Sequence, residues 1–134
     1  MVVPKFRVWD TVKKAMSEVQ AIVYTEERVY PIYSKAVRRY IPFSEAILMQ
    51  PTGLFDTYCQ NELFEDDIIL WTYFDEWEDS GNARIVYRDG CWKLLDVKTD
   101  KEVWDTLFDC LENCSVYLAG NIYENPELVE GING

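Results

Sequence analysis

The order of apolar and polar positions predicts short strands along most of the chain. Apolar, β-branched and aromatic residues mix with polar ones in "KFRVWD", "EVQAIVY" and "VYPIY", and such side chains suit a pleated, half-buried surface. "TVKK" is expected to form the turn after the first strand. "DIILWTYF" is almost wholly apolar, which indicates a well-buried strand. The pattern therefore favours strands over helices.

Two proline positions give local expectations. Pro31 has no N–H to donate to a ladder, so its strand should lie at an edge or at a bulge. Gln50-Pro51-Thr52-Gly53 predicts a turn, because proline presets the backbone angle of the second turn position and glycine permits strain after it. The apolar segments on either side of that turn, Ala46 to Met49 and Leu54 with Phe55, are then expected to face the core.

Asp89-Gly90 is the strongest local signal. This dipeptide favours a two-residue type I′ hairpin inside "RIVYRDGCWKLL". The resulting register pairs Tyr87 with Trp92 and Ile85 with Leu94 on one face, which should be the core face.

One helix is expected near the C-terminus, over residues 100 to 113. Thr99 followed by Glu102 is a capping box, and the segment after it carries an apolar stripe at helical spacing. The stripe consists of Val103, Leu107 and Leu111, with Phe108 and Cys110 beside them. "VYLAGNIYENP" is expected to be a last strand that Asn125-Pro126 ends.

These elements predict a β-dominated α+β fold. We expect a strongly bent antiparallel sheet or small barrel from Lys5 to Leu95, one C-terminal amphipathic helix, and a closing strand through Gly120. A chain of 134 residues is long enough for one core and short for two, so residues 1–134 are expected to form a single domain.

Charge is distributed unevenly along the chain, whose net charge is −11. Residues 1–39 hold eight Lys or Arg against four acids, and residues 40–83 hold ten acids and no base. A basic end and an acidic middle can attract each other within a chain or between copies. The acidic block would repel phosphate, so no direct binding of nucleic acid is expected.

Catalytic and cofactor chemistry has little support. The chain has no His, which removes the side chain best suited to proton transfer near neutral pH, and its glycines form no phosphate-binding loop. The four cysteines, Cys59, Cys91, Cys110 and Cys114, are separated by 31, 18 and 3 residues, unlike the close pairs of structural zinc sites. We expect free thiols, no catalytic residues, no metal and no cofactor, although Cys110 and Cys114 could share one face.

Two acidic runs, Glu65 to Asp67 and Asp75 to Asp79, have open interpretations. They offer carboxylates for a divalent cation or for acid–base catalysis, but solvated charged loops are expected. Trp77 lies between Asp75 and Glu76 on one side and Glu78 and Asp79 on the other. These five residues are the candidate interaction site, because aromatic anchors ringed by charge are typical of binding hot spots. A Trp that folds back onto its own core is the equal alternative.

No secretion or membrane signal is expected. "MVVPKFRVWD" has charge where a signal peptide has an apolar region, and no apolar run approaches the roughly 20 residues of a membrane span. The protein is expected in the cytoplasm.

Four segments, taken together, resemble the YopX-like family of small phage and prophage proteins. They are "KFRVWD", "LMQPTGLFD", "ELFEDDIIL" and "GNIYENPEL". The resemblance implies a β-rich fold, self-association and a phage or prophage origin in a bacterial host cell, and it implies no activity. The middle segment departs from the family pattern: "FDTYCQNELFEDDII" is one residue longer, lacks both glycines and has Asp66 at a glycine position.

The leading hypothesis is a non-enzymatic accessory protein that acts through protein association as a homo-oligomer, with a host or phage protein as another possible partner. One alternative is an acidic mimic of DNA phosphates that occupies a host DNA-binding protein. The other is a metal-dependent hydrolase that uses Asp66, Asp67 or the cluster at 75–79.

Overall fold

The computed structural model describes residues 3–32, 37–73 and 80–130. In these residues the helices are short: α1 (Leu107–Asn113), α2 (Glu127–Glu130) and a 3₁₀ turn at Phe43–Glu45. The strands are β1 (Arg7–Asp10), β2 (Ala15–Val23), β3 (Arg28–Pro31), β4 (Ile41–Pro42), β5 (Ala46–Met49), β6 (Pro51–Phe55), β7 (Glu62–Phe64), β8 (Asp67–Tyr73), β9 (Ser80–Arg88), β10 (Cys91–Asp96), β11 (Glu102–Val103) and β12 (Cys114–Asn121). The prediction of a β-dominated α+β fold with antiparallel sheets is confirmed.

The chain divides into two compact units, which we call the first unit (Met1–Pro51) and the second unit (Thr52–Gly134). Each contains one five-stranded sheet, in the order β4-β3-β2-β1-β5 and β11-β10-β9-β8-β12, and the second unit also has the pair β6-β7. Both five-stranded sheets end in edge strands, so neither closes into a barrel. Of the two predicted alternatives, a bent sheet or a small barrel, the structure has open sheets. The single domain expected over residues 1–134 stays a prediction.

The first sheet contains the bulge that Pro31 predicted. Val19 pairs with Pro31 and Ala21 pairs with Tyr30, so Gln20 is the extra residue of β2. The apolar cluster of this unit consists of Val8, Val29 and Ile41, with half-buried neighbours Val19, Phe43, Ala46 and Leu48.

The second sheet contains the predicted hairpin. Arg88 pairs with Cys91. The two loop residues, Asp89 and Gly90, have φ of 54° and 78°, as a type I′ turn requires. Ile85 and Leu94 are fully buried, which confirms the core face. The expectation for Tyr87 was wrong: it is 52% exposed. Its ring lies 5.0 Å from that of its cross-strand partner Trp92, and Trp92 is the residue that packs against the core.

The core of the second unit is larger. Its buried residues are Leu63, Ile69, Ala83, Ile85, Leu94, Leu107, Cys110, Cys114 and Val116. Helix α1 contributes Leu107 and Cys110, so the helix covers one face of this sheet. β12 pairs with β8 and ends at Asn121, before Asn125-Pro126.

The predicted turn at Gln50 to Gly53 is wrong. Only Gln50 separates β5 from β6, and those strands pair with β1 and β7 rather than with each other. The Thr52 hydroxyl accepts a hydrogen bond from Leu54 N (3.0 Å) and donates one to Leu63 O (2.7 Å), so the polar residue supports a strand. Leu54 packs against the core of the second unit, whereas Phe55 is 45% exposed.

The helix begins seven residues later than predicted. Glu102–Val103 forms β11, which pairs with β10, and positive φ at Asp100 (60°) and Trp104 (61°) is incompatible with a continuous helix there. Thr106, rather than Thr99, is the N-cap: its hydroxyl accepts a hydrogen bond from Asp109 N at 3.0 Å. This shift also leaves Phe108 outside the core.

Candidate interaction surfaces and the family of the chain

The candidate residues Asp75, Glu76, Trp77, Glu78 and Asp79 lie outside the described residues. The chain enters and leaves that segment beside an aromatic cluster. Trp71 and Trp104 have ring centroids 5.4 Å apart at 88°, and Tyr73 is 5.4 Å from Trp104. Both interpretations of Trp77, as an interaction anchor and as a core residue, stay predictions.

A charged clamp holds the loops of the first unit. The Arg38 guanidinium donates to both carboxylate oxygens of Asp10 (2.7 Å each) and to Glu45 Oε2 (2.9 Å). Asp10 Oδ1 also accepts from the N–H groups of Val12 and Lys13. Burial alone would raise the pKa of Asp10, but these hydrogen bonds outweigh it and lower the pKa. Arg38 is therefore a structural residue.

Beside the clamp lies a surface that we call the basic groove, formed by Gln20, Arg28, Tyr30, Pro31, Arg39, Tyr40 and Pro42. Two cavities of about 480 and 300 Å³ run along it, and Arg39 lines both. Arg28 stacks over the Tyr40 ring, with its guanidinium carbon 4.1 Å from the ring centroid. The extra residue of the bulge, Gln20, lines the larger cavity together with Arg39.

The second unit carries a contrasting surface on α1, which we call the acidic helix face. It consists of Phe108, Asp109 and Glu112 on the helix and of Asp105, which lies just before the N-cap Thr106. Phe108 is 59% exposed, and Glu112 follows it at the i+4 spacing that places two side chains on one helix face. Asp105 and Glu112 are exposed, and no cation in the described part of the chain pairs with either.

The described carboxylates of the acidic block do not form an exposed stripe. Asp56, Asp66 and Asp67 are buried, and the rest, Glu45, Glu62 and Glu65, are half-buried. Asp56 accepts from the N–H groups of Gln60 and Asn61 and so closes the loop that lacks glycines. Asp67 accepts from Phe64 N at 2.8 Å. These side chains stabilise the fold rather than present charge to a partner.

Asp66 joins the middle of the chain to the C-terminal segment. Its carboxylate accepts from Arg84 (2.9 and 3.1 Å) and from the Tyr123 hydroxyl (2.8 Å). Burial, followed by this contact with Asp66, raises the pKa of Tyr123, so the phenol stays a proton donor. The φ of Asp66 is 70°, which explains why glycine suits this position in the family pattern.

The segment Gly120 to Leu128 contains a turn that its own asparagine side chains close. Asn121 accepts from the N–H groups of Tyr123 and Glu124, and Asn125 Oδ1 accepts from Asn121 N. A Cβ at Gly120 would lie 2.5 Å from Asn125 Oδ1, so the approach of Asn125 requires glycine there. This segment therefore fastens the chain to itself. A cavity of about 230 Å³ lies between it and the second sheet, lined by Arg84, Leu95, Val97, Asp100, Ile122, Pro126 and Val129.

The cysteines are free thiols, as predicted. Cys110 and Cys114 lie together in the core of the second unit, whereas Cys59 is exposed. Burial raises the pKa of both core thiols, which keeps them protonated and unreactive at neutral pH. Among the described residues, no group of three Cys, Asp or Glu side chains is arranged to hold a metal ion.

Comparison with known proteins agrees with this architecture. The family model described as YopX protein matches residues 5–130. The chain belongs to the YopX family. Protein EF1440 from Enterococcus faecalis, known from a crystal structure, is 27% identical over 96% of this chain and 99% of its own, with a TM-score of 0.68. Protein yopX from Bacillus subtilis is 19% identical over 95% and 96%, and its TM-score of 0.62 shows a shared fold.

No curated protein matches the sequence. In the described residues, neither helix has the length and apolar character that crossing a membrane requires.

In this YopX-family chain, sequence reasoning missed both surfaces. Phe108 was placed beside the apolar stripe, and the sequence does not show how far around α1 the core extends. The groove could have been noticed from Arg38-Arg39-Tyr40, a basic and aromatic run within the basic end of the chain. The sequence alone does not separate Arg38, which the clamp holds, from Arg39, which faces solvent.

Proposed function

We propose that this YopX-family protein is a non-enzymatic phage or prophage accessory protein that acts through protein association, and that it associates with further copies of itself. One observation carries the proposal: the division of charge coincides with the division into units. The first unit has eight Lys or Arg against five acids, and the second has five against nineteen. Opposite charge on two units of each chain favours encounter between copies.

The absence of His and the structural use of the described acids support a non-enzymatic role. A hydrolase would need its carboxylates at an accessible site, but Asp66 is held by Arg84 and Tyr123, and Asp67 is 1% exposed. A mimic of DNA would need exposed carboxylates at regular spacing, and the described block has its Asp residues buried. Neither alternative gains support from the geometry.

Light scattering coupled to gel filtration tests the association. We expect a mass above that of the monomer at high protein concentration and low salt. We also expect the mass to fall toward the monomer as ionic strength rises, because the Debye length shrinks from about 30 Å at 0.01 M to about 3 Å at 1 M. A monomer at every concentration and salt level would contradict the proposal.

A further inference from the structure

Phe108 exposes a large aromatic ring on a helix whose apolar side packs into the core. Leu107 and Cys110 are fully buried, whereas Phe108 is 59% exposed. The carboxylates of Asp105 and Glu112 lie on either side of it along the chain, and both are exposed. Exposed aromatic anchors with a charged rim are typical of the centres of protein interfaces.

The basic groove has the complementary chemistry. Arg39 is exposed, and no carboxylate in the described part of the chain forms an ion pair with it. The planar face of the Arg28 guanidinium stacks on the Tyr40 ring. The Tyr30 and Tyr40 rings lie 6.2 Å apart and add an aromatic wall. The larger cavity, about 480 Å³, falls within the range of roughly 300–1,000 Å³ that ligand pockets occupy, so a side chain can enter it.

We propose that the basic groove of one copy receives the acidic helix face of a second copy. Phe108 is the apolar anchor of this contact, and the carboxylates of Asp105 and Glu112 pair with the guanidinium groups of Arg28 and Arg39. The inference rests on the proposed self-association and specifies the two surfaces that carry it.

A second copy fits the groove better than a nucleic acid does. Basic side chains interleaved with tyrosines also bind single-stranded nucleic acid, where bases stack on the rings. The net charge of the chain is −11, however, and this charge disfavours the approach of a polyanion. The exposed carboxylates of the acidic helix face have the charge opposite to that of the groove, so charge complementarity favours this surface of another copy.

The two surfaces are different parts of the chain, so the contact is heterologous: each copy has one groove and one helix face. Disabling either surface therefore leaves the other intact. Arg39→Glu reverses the charge of the groove's exposed cation and keeps the helix face, while Phe108→Ala removes the anchor and keeps the groove. Both residues are exposed, so neither change disturbs the core.

Sedimentation equilibrium at low salt measures the self-association of each variant. Arg39→Glu and Phe108→Ala should each weaken it by about tenfold or more, the loss expected when a hot-spot residue is removed. Two controls match the chemistry at sites outside both surfaces: Arg88→Glu changes charge equally on an exposed Arg, and Phe55→Ala removes another exposed Phe. Both controls should associate as the wild type does.

An equimolar mixture of Arg39→Glu and Phe108→Ala is the decisive sample. The intact helix face of the first variant meets the intact groove of the second, so the mixture should form a dimer and nothing larger. If the wild type associates while both variants associate equally well, this inference fails and the proposed function stands. If the wild type is always monomeric, both fail. Arg39-dependent binding of a single-stranded oligonucleotide by the wild type would assign the groove to nucleic acid and overturn the inference.

Discussion

The two units of this chain contain sheets of equal strand number that are stabilised differently. The first sheet has a small apolar cluster of Val8, Val29 and Ile41, and a buried carboxylate, Asp10, ties its loops together through Arg38. The second unit has a cluster of nine buried side chains, two of which, Leu107 and Cys110, come from helix α1. A large apolar core can offset the self-repulsion of a strongly acidic unit, whereas a small one depends on specific polar contacts. Four measurements test this contrast.

The largest expected effect is that of a matched pair of isoleucines. Ile85→Ala should lower the free energy of unfolding by about 4 kcal/mol, because it leaves a cavity inside the large cluster. Ile41→Ala should cost about 2 kcal/mol, since its site on the two-residue strand β4 can collapse more easily. Urea unfolding measures both values.

Equal costs for the two isoleucines would remove the contrast between the cores. The same experiment addresses the predicted single domain. If residues 1–134 unfold as one domain, both variants shift one common transition, and separate transitions would contradict it.

The clamp gives the next effect. Asp10→Asn should cost about 2 kcal/mol at pH 7, because Arg38 loses its bidentate partner. The pKa of Asp10 is lowered in the folded state, so its contribution is present above the unfolded value of about 4 and is lost as pH falls through the folded pKa. The difference between wild type and variant should therefore shrink below about pH 4.

Glu18→Gln is the control for the clamp, since Glu18 is an exposed acid on a strand of the same sheet. Its effect at pH 7 should be within about 0.5 kcal/mol. A difference between Asp10→Asn and wild type that stays constant down to pH 2 would contradict the assignment of the stabilisation to the ionised carboxylate.

The next prediction concerns the turn of the β9–β10 hairpin in the second unit. Gly90→Val should cost about 1–2 kcal/mol, because φ at this residue is 78° and a β-branched side chain resists that angle. A Cβ at Gly90 would have open space around it to 4 Å, so the cost is one of backbone conformation alone. Ser80→Ala, at an exposed position of the same strand pair, should change the melting temperature little. Equal changes in melting temperature for Gly90→Val and Ser80→Ala would contradict the assignment of this turn.

The smallest expected effect concerns the helix that covers the second core. Thr106→Ala should cost about 1 kcal/mol, because the N–H of Asp109 loses its acceptor. Thr99→Ala should cost less, since the Thr99 hydroxyl accepts only from Lys101 N, at an exposed turn. Thermal melting followed by circular dichroism ranks the two, and the reverse order would favour a helix that begins near residue 100.

The sequence predicted what depends on local chemistry. Asp89-Gly90 specified a hairpin because both residues tolerate positive φ, and Pro31 marked a bulge because it has no N–H. Predictions failed where contacts distant in sequence decide. Thr52 was predicted in a turn, but its hydroxyl donates a hydrogen bond to the distant Leu63 O and supports a strand. Thr99 and Glu102 matched the capping-box pattern, but the pairing of Val103 with Leu94 makes this segment a strand. The two candidate surfaces could not be predicted from local sequence either. The helix face depends on which side of α1 the sheet covers, and the groove depends on which of two adjacent arginines the clamp holds.

Gly120, Asn121 and Asn125 close a turn by contacts with one another, and Tyr123 bonds to Asp66. These residues belong to two of the four segments that resemble the YopX family, and each of them is engaged with the chain's own backbone or core. The groove and the helix face lie outside those segments, in residues 20–32, 37–42 and 105–112. The segments that resemble the family therefore build the architecture of this chain, and the two surfaces proposed for association are made by other residues.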